Sequence, residues 1–228
     1  MGQGHPNLFE KSIFANMRSG IRPGGLLLTQ RIVSYCNFEC GAMVIDIGCG
    51  MGTTVQYLRD VCRVHAVGVD LSAVLVEQGK KRSADLPLIH APGETIPCAD
   101  HSIDGVLAEC SLSVMSSVSK VLTEINRILV PGGKLAVTDL YARSTSGNFS
   151  TCKTSGIMTC SEMIQVLLDH GFEIMVFEDQ SKFLREFVAG FIMEHGSPEE
   201  LRQCAGFEKN DQQIKGLGYY LLIAEKSS

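Results

Sequence analysis

Between residues 43 and 140 short apolar runs alternate with helical patterns, and this alternation restricts the fold more than anything else in the chain. Met43 to Ile47 reads as a buried strand and Thr53 to Val61 as a helix. His65 to Val69 reads as a strand, and Ala73 to Ala84 as a helix whose Lys80, Lys81 and Arg82 suit the negative end of its dipole. Leu86 to His90 and Gly105 to Ala108 follow as strands. A helix from about Ser117 to Leu129 stops at Pro131-Gly132-Gly133, and Leu135 to Leu140 is a further strand. Strands and helices at this pace imply right-handed βαβ crossovers and a parallel sheet covered on both faces.

Past the Ser/Thr/Gly-rich stretch Arg143 to Gly156 the pattern changes. Ser161 to His170 reads as a helix closed by Gly171, and Phe172 to Phe177 as a strand. Ser181 to Glu194 carries Phe183, Leu184, Phe187, Val188, Phe191 and Ile192 at helical spacing, an apolar stripe expected to face the core. His195-Gly196-Ser197-Pro198 stops it and starts a helix from Pro198 to about Cys204. A last strand, Tyr219 to Ala224, set beside Phe172 to Phe177, would complete seven strands.

A chain of 228 residues, 45% hydrophobic, buries roughly 70% of its unfolded surface and needs neither disulfides nor a structural metal. Its nine cysteines therefore call for another reading. Their number is odd, no Cys-x-x-Cys pair occurs, and the opening Met1-Gly2-Gln3-Gly4-His5-Pro6 lacks a secretory apolar run, so the expectation is free thiols in a cytoplasmic protein. A net charge of −5 and the lack of a Lys/Arg-dense stripe argue against a nucleic-acid partner. No apolar stretch reaches the ~18 residues of a membrane span. His65, His170 and His195 show no metal-ligand spacing.

The first strand runs into Asp46-Ile47-Gly48-Cys49-Gly50-Met51-Gly52-Thr53. A glycine-rich turn after the first strand of such a sheet is where a nucleotide-like ligand sits. The dinucleotide fingerprint Gly-x-Gly-x-x-Gly would need glycine where Thr53 stands, which disfavours a nicotinamide-dependent oxidoreductase. Asp46 at the strand's end would repel a pyrophosphate and hold a ligand bearing an ammonium and a sulfonium. Asp70, closing the second strand, is placed to accept both hydroxyls of a ribose.

These residues resemble the binding signature of class I S-adenosylmethionine-dependent methyltransferases. Ile96-Pro97, Asp104-Gly105-Val106 and Pro131-Gly132-Gly133-Lys134-Leu135 resemble later motifs of that family, so the likeness is dense over 43–140 and loose elsewhere. It implies an α/β, Rossmann-like, seven-stranded, mostly parallel sheet with helices on both faces and the last strand antiparallel. It implies one domain over 1–228, made of an N-terminal helical cap (1–40), a cofactor-binding core (41–142) and a substrate-side half (143–228) with a helical insert at about 181–205. The cofactor would be S-adenosylmethionine, held by Asp46, Gly48, Cys49, Gly50, Gly52, Asp70, Leu71, Gly93, Glu94 and Glu109, and the partner a small-molecule substrate. The family often carries an acid for the adenine amino group where this chain has Pro92, leaving the Gly93 and Glu94 amides and the Glu94 carboxylate to read that edge.

The fourth strand ends in Glu109-Cys110-Ser111-Leu112, where the family places groups near the methyl. Glu109 is a candidate base or substrate anchor and Cys110 a candidate thiolate, or, as for many cysteines, a buried filler. The surroundings of Cys110 and Cys152 also resemble the thiolate sites of arsenite methyltransferases, with Cys36 or Cys40 as a further ligand; soft thiolates suit a thiophilic metalloid. Arg22, in Arg22-Pro23-Gly24-Gly25 ahead of an amphipathic helix, reads as a solvated surface residue or as a ligand for a carboxylate or phosphate. Tyr141 would line the substrate pocket. An enzyme acting on a small molecule leads, and a cofactor-binding subunit without catalysis is the rival of another class.

Overall fold

A computed structural model describes residues 22–143, 157–196 and 216–227. Seven strands form one sheet: β1 (Met43–Ile47), β2 (His65–Asp70), β3 (Leu88–His90), β4 (Ile103–Glu109), β5 (Leu129–Ala142), β6 (Phe172–Asp179) and β7 (Leu217–Lys226), in the order β3-β2-β1-β4-β5-β7-β6. β1 to β5 pair parallel, and β7 runs antiparallel between β5 and β6. The chain winds outward from β1 to β3, then returns to β4 on the other side of β1. Ligands bind at such a switch point, outside the carboxyl ends of the strands.

Among the described residues six α-helices flank the sheet: α1 (Gly25–Cys36), α2 (Thr53–Asp60), α3 (Ala73–Arg82), α4 (Val118–Ile128), α5 (Cys160–Asp169) and α6 (Ser181–His195). Alternate strand side chains feed two cores, one per face. Ile45, Val106 and Tyr220 join the α4 core, whereas Val44, Leu107 and Tyr219 join the core under α1 and α2. α4 buries Val118, Val121, Leu122, Ile125 and Ile128, a stripe at three- and four-residue spacing. α5 starts with a capping box in which the Thr159 hydroxyl accepts from the Glu162 amide and the Glu162 carboxylate accepts from the Thr159 amide.

Two boundaries differ from the sequence expectation for reasons of backbone chemistry. β3 starts at Leu88 rather than Leu86, because Pro87 has no N–H to give the ladder and serves only as acceptor for the Gly68 amide. β5 starts at Leu129, ahead of Pro131-Gly132-Gly133. Ile103 pairs with Leu129 and Gly105 with Lys134, so these residues form an irregularity within the strand instead of a loop before it.

The stripe on α6 divides. Phe187 and Phe191 are buried and Phe183 and Leu184 pack on the core, but Ile192 is exposed. The expected helix from Pro198 to Cys204, and Cys152, lie outside the described residues. No described helix is long and apolar enough to cross a membrane.

Candidate functional site

The turn after β1 is built by backbone hydrogen bonds. The Gly48 and Cys49 amides donate to the Val69 carbonyl of β2, and the Gly52 amide closes the turn on the Cys49 carbonyl. Gly48 has φ 74°, and a Cβ there would stand 2.5 Å from the Cβ of Ser111. Only glycine lets the loop lie against the segment after β4, where the Ser111 hydroxyl donates to the Ile47 carbonyl at 2.8 Å. Gly50 has φ 54°, and its Cβ direction opens into empty space. A ligand can approach the backbone closely at that point.

Gly50 also donates its N–H to Asp70 Oδ2 at 2.8 Å, while the Ser72 amide donates to Asp70 Oδ1 at 2.8 Å. These bonds fix the carboxylate at the pocket wall and leave each oxygen a further lone pair for a hydroxyl donor. The pocket beside it measures about 240 Å³ and brings Gly48, Asp70, Leu71, Gly93, Glu94 and Ser111 together. Its remaining wall comes from the turn after β4, with Val114, Met115 and Ser116. Leu71 is 68% exposed, an apolar side chain standing at the rim with nothing to cover it. The Ser116 hydroxyl donates to Glu94 Oε1 at 2.5 Å.

Asp139, at the end of β5, holds that turn. Its carboxylate accepts from the Ser113 amide (2.8 Å), the Ser113 hydroxyl (2.6 Å) and the Leu140 amide (2.7 Å). Burial raises its pKa against the pull of these donors.

At the other end of the glycine loop lies a buried polar cluster. Arg22 Nη2 donates to Glu109 Oε2 (2.8 Å), Thr29 Oγ1 (2.7 Å) and Thr54 Oγ1 (3.0 Å). Thr29 donates to Glu109 Oε1 at 2.9 Å and Thr54 to Oε2 at 2.8 Å. One ion pair thereby joins the lead-in to α1, the first turn of α2 and the end of β4. The reading of Arg22 as a solvated residue is corrected, since its side chain is 11% exposed. Its Nε is buried without an acceptor among the described residues. Asp46 is 3% exposed, and burial together with the neighbouring Glu109 carboxylate pushes its pKa up to about 8, opposed by Arg22.

Three expected contacts take another form. Cys49 turns its side chain into the core against Gly68, where a Cβ would meet its Sγ at 2.6 Å, and burial raises its pKa strongly. Gly52 faces the Leu88 side chain, so its small size serves the packing of α2 on β3. Glu109 has both oxygens engaged by three donors, which leaves it an anchor for Arg22 and not a free base.

Cys110 adopts φ 56°, a left-handed backbone for a residue with a side chain, at the turn out of β4. Burial and the nearby Asp139 push its thiol up to about 12, so it is a thiol and not a thiolate at neutral pH. Cys40 bonds to the Arg63 carbonyl near the amino ends of the strands, whereas Cys110 stands at the carboxyl end of the seven-residue β4, roughly 20 Å along the sheet. A shared metalloid site for the two is excluded. Cys36 is buried, its thiol pushed up to about 12.

His170 caps α5, with Nδ1 against the Val166 carbonyl and Nε2 against Ser119 Oγ. Tyr141 donates to Asp179 Oδ2 at 3.2 Å, with the Arg143 guanidinium 5.7 Å from its ring centre. Sequence reasoning missed Thr29, Thr54 and Ser113, whose hydroxyls bond carboxylates 26 to 80 positions away.

The family described as a methyltransferase domain matches residues 45–137, which span β1, the glycine loop, Asp70 and most of β5. Over residues 45–137 the chain is similar to a class I methyltransferase domain. Demethylmenaquinone methyltransferase of Renibacterium salmoninarum is 32% identical over 118 residues, covering 52% of this chain and 49% of that one. The structure of the cyclase SpnF superposes with a TM-score of 0.73 at 25% identity, over 88% of this chain and 80% of that one. Phosphoethanolamine N-methyltransferase 2 of Haemonchus contortus, solved with phosphomonomethylethanolamine and S-adenosylhomocysteine, superposes at 0.76 with 19% identity, over 97% of this chain and 56% of that one. This chain spans about half the length of the curated relatives it matches first. S-adenosylmethionine is the cofactor of the methyltransferase family matched over 45–137. The open backbone at Gly50, the placed carboxylate of Asp70 and the buried acid Asp46 suit its uncharged ribose and cationic amino-acid end.

Proposed function

We propose that the protein transfers a methyl group from S-adenosylmethionine to a small-molecule acceptor. The observation that carries this reading is the Gly50 backbone, open on its Cβ side and hydrogen-bonded to Asp70 at the pocket wall. Asp70 takes the ribose hydroxyls. Leu71 and Met115 flank the adenine, with the Gly93 and Glu94 amides at its edge. Asp46 takes the ammonium, and the unpaired Arg22 Nε takes the carboxylate of the same amino-acid end. In domain terms, the segment from Arg22 through α1 caps the cofactor, and the chain from Arg143 onward forms the acceptor side.

When bound, the cofactor supplies a methyl group already activated on a sulfonium sulfur. The chain's work is then to align the acceptor and exclude water, contributions of several kcal/mol that need no acid or base. The side chains next to the expected methyl agree with this: Glu109 has both oxygens engaged by donors and Cys110 holds its proton. SpnF, a neighbour named for cyclisation, carries other chemistry on this fold, and a binding protein without methyl transfer is the alternative outcome of the test.

Calorimetric titration with S-adenosylmethionine and with NAD, followed by a methyl-transfer screen over a small-molecule panel, tests both. The expected result is micromolar binding of the first ligand only and release of S-adenosylhomocysteine with at least one acceptor class. Preferential NAD binding overturns the assignment. Cofactor binding with no turnover across the panel favours the non-catalytic reading.

A further inference from the structure

A second cavity, about 520 Å³, lies at the carboxyl ends of β5 and β6. It lies along the same carboxyl edge of the sheet as the cofactor pocket, with no lining residue in common. β5 and β6 end there, as β1, β2 and β4 do, and β7 starts there with Leu217. One wall is the outer face of α6, with Leu184, Val188 and Ile192, and Leu217 closes it from the sheet side. Two guanidinium groups, Arg143 and Arg185, join this apolar wall.

Arg143 is held in place. Its Nε donates to the Leu217 carbonyl at 3.0 Å, its plane lies near the Tyr141 ring, and Nη2 stands 3.9 Å from Asp179 Oδ2. Asp179 is itself engaged by the Tyr141 hydroxyl and the Ser181 amide, so it offsets only part of the positive charge. Arg185 is exposed and has no charged partner among the described residues. The cavity therefore offers a prepositioned cation, a second mobile one and an apolar trough, within the usual size range of small-molecule sites.

We infer that this cavity is the acceptor subsite and that it takes an amphipathic anion, a soluble molecule with a phosphate or carboxylate group and an apolar body. The inference rests on the methyltransferase reading for the word acceptor, and on the cavity alone for the ligand class. The anionic group sits between Arg143 and Arg185, and the apolar body lies along Leu184, Val188 and Ile192.

The test is calorimetry on the full chain saturated with S-adenosylhomocysteine, using decyl phosphate below its micelle concentration, decanol and inorganic phosphate as probes. Decyl phosphate is expected to bind at least tenfold more tightly than either of the others. Arg143→Gln with Arg185→Gln is expected to remove that advantage, and Ala189→Trp, which fills the trough, to weaken the alkyl probe while sparing inorganic phosphate. S-adenosylhomocysteine affinity should stay within twofold in every variant, which also reports that each variant folds. Equal binding of decanol, or decyl phosphate affinity unchanged in the double arginine variant, overturns the subsite. Absence of S-adenosylhomocysteine binding in the wild-type chain overturns the methyltransferase reading instead, and decyl phosphate alone then decides the ligand class. Vesicles of phosphatidic acid form a control arm: recruitment to them, with no binding of soluble decyl phosphate, points to a lipid surface and overturns the soluble acceptor.

Discussion

The two halves of the sheet's carboxyl edge are built from different materials. Around β1, β2 and β4 the pocket is shaped by main chain: three backbone bonds close the glycine loop, two amides aim Asp70, and Ser111 occupies the space that Gly48 leaves. Around β5, β6 and β7 the cavity is made of side chains, chiefly the outer face of α6 and two arginines. A main-chain site tolerates few residue types at each position, because φ and close approach decide them. A side-chain site can change its ligand by substitution without disturbing the fold. The contrast teaches that one edge keeps a fixed cofactor on one side and leaves the choice of acceptor open on the other.

Removing the anchor common to the cofactor half is expected to have the largest effect. Glu109→Ala leaves Arg22 charged and buried, and should lower stability by about 3–5 kcal/mol, read as a fall in melting temperature on the order of 10 °C. A loss under 1 kcal/mol would show that Arg22 swings out to water and that the cap is loosely held.

Next comes Gly48→Ala. The strained φ and the Ser111 contact together should cost about 2–4 kcal/mol, and adding Ser111→Gly should recover the packing part but not the φ part. Chemical denaturation of the single and double variants separates the two. Full recovery would mean that the backbone accepts a left-handed alanine here.

Asp70→Asn should weaken S-adenosylmethionine binding by about 1–3 kcal/mol while leaving decyl phosphate binding unaltered, which sharpens the division between the halves. Loss of both would join them into one site.

The smallest effect concerns pH. Asp46, at about 8 in the folded unliganded chain against an ordinary carboxylate value when unfolded, favours its protonated form on folding. Its contribution to stability is present below pH 4 and is lost as the pH rises through 8. An ammonium ligand favours the ionised form. Cofactor affinity should therefore tighten from pH 6 to pH 8, with a proton released on binding, measured by calorimetry in buffers of different ionisation enthalpy. Asp46→Asn should abolish the release, and a release that persists removes Asp46 from the ammonium site.

How legible the molecule is from sequence follows the same division. β1, the glycine turn, α2 and Asp70 are contiguous, so spacing alone exposes them. A last strand beside β6 is also within reach of the pattern, whereas its antiparallel direction follows only from the family resemblance. The direction of the Cys49 side chain was not, since it depends on Gly68 leaving a hole in the adjacent strand. The cluster of Arg22, Thr29, Thr54 and Glu109 escapes any local pattern, because its members come from three separate segments. The trough on α6 escapes for another reason: its residues belong to a stripe whose inner members, Phe187 and Phe191, are ordinary core.

β7 comes late in the chain but lies between β5 and β6. During synthesis the strands β3-β2-β1-β4-β5 can pair as soon as they emerge, with β5 as a bare edge fourteen residues long. That edge waits for residues 217–226, and until they arrive it offers unpaired main-chain groups to any extended segment nearby. A nascent chain stalled before Leu217 would hold a formed cofactor loop beside an adhesive strand, so the half completed last is the half most exposed to misassociation.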